Sequence, residues 1–350
     1  MTAGSLVHLH THESVVSKGA AAFLDAHDAS LAVVAGGRLW LFTEDAGGRP
    51  AVLELGLDDA TALAWDGDRL WVATGWQLWA YEDAAASTPS DPGGVHALLP
   101  QTARTTGGLT VSDLAVTTGG PLVVSALLTC LAVPDDRLSM RPVWVPPGVD
   151  ALRPETRWLL AGVALRDGLA AFVSAAGRSD EPQGWRTGVD GGGLIMNVAG
   201  EVVAAGLTVP RQPRWHGDRL VVADGGTGRL VSVDPGSGGT EVVATLPGVL
   251  GALTVTDGVA VVGHGDPSRA GVEGLAGGAV PAGRSLRETV SLVDLVTGAV
   301  TGTIEFLGHA GPVTGLAVLP GVRRATVAAP RGTLSQTTVV VGAGEQLGVR

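Results

Sequence analysis

Short runs of β-branched and leucine residues, separated by glycine-rich turns, recur along this chain. In the stretch Arg219–Leu246, the apolar runs Leu220–Ala223 and Leu230–Val233 flank an Asp-Gly-Gly turn at residues 224–226, and a second glycine-rich turn follows at residues 235–239. Glycine supplies the positive φ angles that tight hairpins require. The pattern predicts three antiparallel strands. Because one such sheet cannot bury its own face, it also predicts several sheets arranged radially.

The stretch Ser30–Leu55 matches this pattern turn for turn but has no strand before it, whereas later units do. Strands that would occupy the innermost position are predicted at Thr61–Trp65, Val111–Val116, Arg157–Leu165, Pro213–His216 and Leu250–Val255. Near the far end, Val313–Leu319 has the same small, apolar pattern. We therefore expect Val313–Leu319 to complete the Ser30–Leu55 sheet and close a ring, which removes open sheet edges.

The predicted fold is all-β, a six-bladed β-propeller closed by N- and C-terminal strands in one blade. Residues 1–29 are assigned to an N-terminal arm with a short helix over Ser14–Ala26, residues 30–324 to the propeller, and residues 325–350 to a C-terminal tail. An added strand at Thr337–Val341 would allow the tail to form its own sheet. Seven blades are therefore the alternative.

Composition favours a single domain and excludes several classes of partner. The 350 residues include 53 glycines and carry a formal net charge of −11, with no cluster of Lys or Arg. Nucleic acid and anionic membrane surfaces both require such clusters, so neither is an expected partner. A lone cysteine, Cys130, excludes an internal disulfide and fits a reducing compartment. No secretory signal is visible, so we expect a cytoplasmic protein.

The N-terminal segment contains the one pattern that resembles a metal site. Strand alternation would place His8, His10 and His12 on one face. Terminal segments are usually loosely held, and no further ligand set can be assigned to accompany the histidines. An exposed arm is the favoured interpretation, and no metal or other cofactor is predicted.

Several segments of the chain resemble an uncharacterised bacterial family defined by a domain of unknown function, DUF4915. The resemblance lies in Trp65–Thr74, Arg141–Pro147, Pro213–Gly217, Val293–Leu295 and Ala317–Arg323, together with Gln77–Trp79, residues 226–228, residues 233–235 and Thr297-Gly298. It covers roughly residues 30–324 and implies a divergent member with a β-propeller fold. It implies no particular activity.

The resemblance also implies polar side chains on the innermost strands, and this chain departs from that pattern. Where the family tends to have histidine, asparagine, arginine, tyrosine or aspartate, the chain has small or apolar residues: Ser112, Leu159, Ala161, Gly251, Thr314 and Gly315. Arg211 replaces a further histidine, and Asp113 is the clear match. Small side chains on these strands predict a wider, less polar central channel of the kind that binds small molecules.

Few polar candidates remain at this channel. Asp113 with Arg211 or Arg214 would form an ion pair that orients a ligand or acts as acid and base, although a structural salt bridge explains the same residues. Side chains expected at or near the channel mouth complete the candidate ligand-binding set: Ser112, Trp158, Trp185, Arg214, His264 and Thr314. Cys130 is expected to be a buried, inert thiol.

Two functions of different classes fit these features. The first is a small-molecule-binding propeller with a widened, apolar channel, whose ligand would be an apolar specialised metabolite and whose activity, if any, would be cyclisation or isomerisation by substrate positioning. The second is a non-catalytic interaction module that binds a protein partner through its rim loops, with an unused channel. Whether the channel is open and lined by polar groups distinguishes the two.

Overall fold

The computed structural model describes residues 14–45, 47–57, 59–84, 95–269, 275, 277–278, 286–308 and 310–338. Two short α-helices, α1 (Lys18–Ala26) and α2 (Thr333–Thr337), lie near the two ends of the described chain, and most of the other elements are strands. In chain order the strands are β1 Ser14–Val16, β2 Ala29–Ala35, β3 Arg38–Glu44, β4 Pro50–Leu55, β5 Ala62–Trp65, β6 Arg69–Ala73, β7 Gln77–Asp83, β8 Val95–Thr105, β9 Val111–Thr117, β10 Gly120–Ser125, β11 Cys130–Pro134, β12 Met140–Trp144, β13 Leu160–Arg166, β14 Leu169–Ala175, β15 Gly193–Asn197, β16 Val202–Leu207, β17 Pro210–His216, β18 Arg219–Asp224, β19 Arg229–Val233, β20 Thr240–Thr245, β21 Val249–Thr256, β22 Val259–Gly265, β23 Thr289–Asp294, β24 Val300–Phe306, β25 Val313–Pro320 and β26 Arg324–Val327.

These strands form six antiparallel blades, which confirms the predicted six-bladed β-propeller. Blade 1 has the strand order β25-β2-β3-β4, blade 2 contains β5–β8, blade 3 β9–β12, blade 4 β13–β16, blade 5 β17–β20 and blade 6 β21–β24. The innermost strands β5, β9, β13, β17, β21 and β25 contact one another in that order, and β25 returns to β5. The ring is therefore continuous.

Ring closure combines the two ends of the chain, as the sequence predicts. β2 pairs antiparallel with β25 along its whole length, with Leu31 opposite Val318 and Val33 opposite Leu316. The register places alternate apolar residues of both strands in the cores on either side of blade 1. Closing the ring through antiparallel pairing satisfies the backbone groups that would otherwise form a free edge.

Each end of the chain also adds a strand outside the ring. The predicted helix over Ser14–Ala26 is wrong in its first turn, because β1 extends blade 6 by pairing with β24 and α1 begins at Lys18, capped by Ser17. β26 pairs in parallel with β8 on the outside of blade 2. In the described part of the tail, Thr337 ends α2, and residues 339–341 of the strand suggested there lie outside the described residues.

Both turns of the stretch that defines the repeat form where the sequence predicts them, but in the first turn the positive φ falls on Gly228 and not on Gly225 or Gly226. Asp224 ends β18, and Gly228 takes a left-handed φ of 71° before β19. In the next turn, the Asp234 carboxylate accepts a hydrogen bond from the Gly236 N–H at 2.8 Å, and Gly238 adopts a φ of 74°. An L-side chain rarely adopts that angle, so the glycines fix where these hairpins reverse.

Candidate functional site

Glycines of the innermost strands allow neighbouring blades to approach closely. A Cβ on Gly162 of β13 would lie 2.5 Å from the Cα and N of Gln212 on β17, and one on Gly251 of β21 would collide with the carbonyl oxygen of Val313. These small residues are therefore explained by close packing between blades, and a widened channel stays a prediction. In a blade, side chains project from the two sheet faces toward the adjacent blades, so small residues let the strands approach the axis more closely.

A buried glutamine of β17 makes hydrogen bonds to two neighbouring blades. Gln212 takes a φ of 43° at an irregularity in β17 and is 2% exposed. Its Nε2 donates to the carbonyl oxygen of Thr314 at 3.0 Å, and its Oε1 accepts from the Leu253 N–H at 2.7 Å. Gln212 thus joins blades 5, 6 and 1. The sequence analysis did not identify it, because a single glutamine within a strand carries no distinctive pattern.

Asp113 pairs with Arg214 and not with Arg211. Arg214 Nη1 and Nη2 donate to the two carboxylate oxygens of Asp113 at 2.9 and 2.8 Å, and the backbone N–H of Val163 donates to Asp113 Oδ2 at 3.0 Å. Asp113 is 1% exposed. This bidentate pair links blades 3, 4 and 5, and both oxygens of the acid are engaged, as the structural interpretation of the pair expects.

Ser112, next to Asp113, also makes an inter-blade contact. Its hydroxyl donates to the carbonyl oxygen of Leu160 on β13 at 2.6 Å. The two candidate side chains on β9 therefore both bond to neighbouring blades, Ser112 to blade 4 and Asp113 to blades 4 and 5. Roles for Ser112 and Asp113 in ligand binding or catalysis stay predictions.

Arg211, Thr314 and His264 meet at one end of the channel, where the innermost strands begin. They line a cavity of about 80 Å³, which we call the Arg211 cavity. The acidic residues Asp266 and Glu288 share its wall, and apolar side chains complete it: Val249, Leu250, Leu275, Pro312 and Val313. The volume is about half of the roughly 150 Å³ cavity that takes up benzene in an engineered protein.

Arg211 presents an uncompensated cation to this cavity. Its side chain is half-buried, and among the described residues its guanidinium has no hydrogen-bond acceptor or ion-pair partner. Burial lowers the pKa of Arg211, which nevertheless remains a cation at any physiological pH. Burying a charge without a partner is costly, so the site is electrostatically incomplete.

Glu288 is the buried acid of the cavity, and the sequence analysis did not identify it. It is 3% exposed, and its Oε1 has no hydrogen-bond partner among the described residues, with Arg269 Nη1 4.0 Å away. Burial raises the pKa of Glu288, although the charge of Arg269 opposes this shift. Gly265 faces the carboxyl group so closely that a Cβ there would collide with it. Glu288 directly precedes β23, at the end of a long insertion. A charged side chain in such a segment is usually exposed to solvent, so the sequence does not indicate that Glu288 is buried.

His264 forms part of the wall, and both of its ring nitrogens are engaged. Nδ1 lies 3.0 Å from the carbonyl oxygen of Pro247, and Nε2 lies 2.8 Å from the Ser291 hydroxyl. Burial lowers the pKa of His264 to about 4, so the imidazole is neutral at pH 7. A neutral ring that donates from Nδ1 to the carbonyl accepts from the hydroxyl at Nε2, which leaves neither nitrogen free for a ligand.

Thr314 and the two candidate tryptophans contain polar atoms without partners. The buried Thr314 Oγ1 and the indole Nε1 atoms of Trp158 and Trp185 have no hydrogen-bond partner within the described ranges. Trp185 is 3% exposed and packs with Val209, and Leu275 extends this cluster to the Arg211 cavity. Trp158 lies in the core between blades 3 and 4. Both indoles are wall and core groups in this structure, and ligand contacts by them stay predictions.

A larger cavity, of about 220 Å³, lies between α1 and the outer part of blade 1. Its apolar floor includes Phe42 and Val52. Its charged groups are already paired, because Arg323 Nη2 lies 2.5 Å from Asp25 and Arg323 Nε lies 2.8 Å from Glu44. This cavity therefore lacks the uncompensated group that distinguishes the Arg211 cavity.

The remaining candidates lie elsewhere. Cys130 is buried, and burial raises the pKa of its thiol to about 11, which confirms an inert side chain. His8, His10 and His12 lie outside the described residues. Within the described ranges, no group of three His, Cys, Asp or Glu residues is placed to hold a metal ion. Among the described residues, no helix has the length and apolar character required to cross a membrane.

The chain belongs to the family described as Domain of unknown function (DUF4915), whose model matches residues 18–328. No curated protein matches the sequence. Among solved structures, a chain of a nidogen/laminin complex superimposes with a TM-score of 0.50 at 12% identity, covering 85% of this chain and 99% of that one. A computationally designed protein, Ika8, gives a TM-score of 0.42 at 14% identity, covering 89% and 93%. The first likeness shows the propeller fold alone.

Proposed function

We propose that this DUF4915 propeller binds a small molecule in the Arg211 cavity, through a single carboxylate on that molecule. The observation that carries the proposal is the half-buried guanidinium of Arg211, which has no acceptor among the described residues. A carboxylate would supply the missing counter-charge through two parallel N–H···O bonds. The apolar wall formed by Leu250, Val313 and Leu275 favours a ligand whose remaining atoms are partly apolar.

A carboxylate fits the charge of the site better than a phosphate does. The cavity wall contains one uncompensated cation and two acidic residues, Asp266 and Glu288. A phosphate with nearly two negative charges would need more cationic partners or a backbone nest. A monoanion matches Arg211 one to one, and the small volume limits the enclosed part of the ligand to a short head group.

Arg211→Met tests the proposal, because methionine keeps much of the apolar stem and removes the charge. Acetate, propionate and inorganic phosphate are the probes, measured by calorimetry and by their effect on the melting temperature. We expect the carboxylates to bind the wild-type protein at least tenfold more tightly than Arg211→Met, and phosphate to bind no better than acetate. The variant should melt at or above the wild-type temperature, because it removes a desolvated, unpaired charge.

Arg186→Met is the matched control, since Arg186 is an exposed arginine that lies over the Trp185 ring on the same rim. It should leave carboxylate binding unchanged. Equal binding of every probe to wild type and Arg211→Met would contradict the proposal. Rim-loop binding of a protein partner would then be the function to test. A cyclase or isomerase activity stays a prediction.

A further inference from the structure

The larger cavity, between α1 and blade 1, has apolar side chains on both sides, and we call it the α1 cavity. Val16 of β1 and Ala21 and Leu24 of α1 line one side, and each of them is half-buried. Phe42 of β3 and Val52 of β4 line the other. The volume of about 220 Å³ exceeds the roughly 150 Å³ of an engineered apolar cavity that takes up benzene. The α1 cavity therefore has room for one small ring compound.

Close backbone packing on one side of α1 fixes the position of the helix. A Cβ on Gly19 would collide with the carbonyl oxygen of Thr301 on β24, and one on Gly302 would collide with the backbone nitrogen of Ala20. The helix is thus in backbone contact with blade 6, and it cannot move toward blade 1 to close the α1 cavity without losing that contact. Protein interiors leave few voids of this size empty, so a fixed gap indicates space for a ligand.

The polar groups in the wall of the α1 cavity are engaged with one another. Arg323 contacts the carboxylates of both Asp25 and Glu44, and the Thr43 hydroxyl donates to the carbonyl oxygen of Arg323 at 3.0 Å. Ser14, the other polar residue of the described wall, is half-buried and uncharged. A charged ligand would find no free counter-charge among these groups and would lose its hydration. The wall therefore favours an uncharged ligand.

We infer that the α1 cavity binds an uncharged, largely apolar ring compound of about the size of indole. Removal of the ring from water against Leu24, Phe42 and Val52 supplies the affinity, and Phe42 adds an aromatic contact. The α1 cavity shares no lining residue with the Arg211 cavity. This second site is therefore independent of the proposed function.

Indole is the probe, measured by calorimetry and by its effect on the melting temperature. Ala21→Leu places a larger apolar side chain in the α1 cavity, and Ala22→Leu makes the same change at an exposed position of the same helix that is not part of the wall. We expect indole to bind the wild-type protein and Ala22→Leu equally, and Ala21→Leu about tenfold more weakly. Without indole, Ala21→Leu should melt at or above the temperature of Ala22→Leu, because the leucine fills empty space.

Two charged analogues test the inference that the ligand is uncharged. Tryptamine adds an ammonium group to the indole ring, and indole-3-acetate adds a carboxylate. Both are measured with Arg211→Met, so that the Arg211 cavity does not contribute to carboxylate binding. We expect neither to bind more tightly than indole, because Asp25, Glu44 and Arg323 are already paired. Arg211→Met should itself bind indole as the wild-type protein does.

The possible outcomes separate this site from the carboxylate site. Absence of indole binding, or equal binding to wild type and Ala21→Leu, would overturn the inference and leave the proposed function of the Arg211 cavity intact. Tighter binding of tryptamine or indole-3-acetate than of indole would overturn the assignment of an uncharged ligand. If Ala21→Leu fails to fold, the amide NMR shifts that indole causes in the wild-type protein decide, because they should be confined to α1, β1 and blade 1, and shifts elsewhere would overturn the inference.

Discussion

Two arginines lie three positions apart on the same innermost strand and have opposite surroundings. Arg214 makes a bidentate pair with the buried Asp113, while Arg211 faces the cavity with no acceptor among the described residues. An irregularity between the two positions, at which Gln212 takes a left-handed φ, rotates the strand between them. The same residue type therefore stabilises the ring at one position and is available to a ligand at the other.

Arg214→Ala should strongly destabilise the protein, because it leaves the Asp113 carboxylate buried without its cation. We expect a loss of about 3–5 kcal/mol in the free energy of unfolding, measured by urea denaturation. Arg104→Ala is the control, since Arg104 pairs with Asp136, whose side chain is 92% exposed, and should cost less than about 1 kcal/mol. The backbone N–H groups of Leu114 and Val163 also donate to Asp113, each at 3.0 Å, and similar losses for the two variants would mean that these amides suffice to stabilise the carboxylate.

For individual residues, the sequence predicted which positions are important more accurately than it predicted their contacts. Asp113 was expected to pair with Arg211 or Arg214, and alternation along a strand cannot choose between them, because the irregularity at Gln212 shifts the register. Glu288 and Gln212 were not identified. Their roles depend on desolvation by other blades, and a single sequence contains no local signal for burial created by residues a hundred positions away.

The innermost strands show why glycine is frequent next to the channel. Gly162, Gly251 and Gly315 each face the backbone of a neighbouring innermost strand, with Gly315 placing a Cβ position 3.2 Å from the Leu63 nitrogen. Close packing of strand against strand fixes the distance between blades. At the channel end, the absence of a side chain on Gly265 leaves room for the Glu288 carboxyl group.

Gly162→Ala should therefore destabilise the propeller although alanine is a better strand residue than glycine. The added methyl group would lie 2.5 Å from two backbone atoms of Gln212, which cannot move without disturbing β17. We expect a loss of about 1–3 kcal/mol, the usual cost of overpacking, measured by chemical denaturation. Gly108→Ala is the control, because nothing lies within 4 Å of its Cβ position. If Gly162→Ala left the free energy of unfolding unchanged, the two blades would be able to move apart without cost.

Strand positions were the most predictable elements, and the ends of the chain the least. Alternating apolar runs bounded by glycine turns identify a strand locally, so β2, β3, β18 and β19 were predicted closely. The pairing of β1 with β24, almost 290 residues away, has no local signature. The apolar residues of Ser14–Val16 fit the start of a helix as well as a strand, and the distant partner decides between them.

The whole ring should unfold as one unit, because its closure joins strands from opposite ends of the chain. A chain that ends at Gly311 lacks β25, which leaves β2 without its inner partner and opens the contacts from β25 to β5 and β21. We expect amide hydrogen exchange to show lost protection in the innermost strands of all six blades, not in blade 1 alone, since each blade buries its faces against two neighbours.

A chain that ends at Ala329 is the matched control, because it retains β25 and β26 and removes α2 with the residues after it. Its innermost strands should exchange as slowly as those of the full chain. If the shorter chain kept protection in blades 2 to 5, each pair of blades would be stable by itself, as in a linear repeat protein. The closing strand would then set the shape of the ring without setting its stability. The Arg211 cavity would still be lost, because Val313 and Thr314 of β25 form part of its wall.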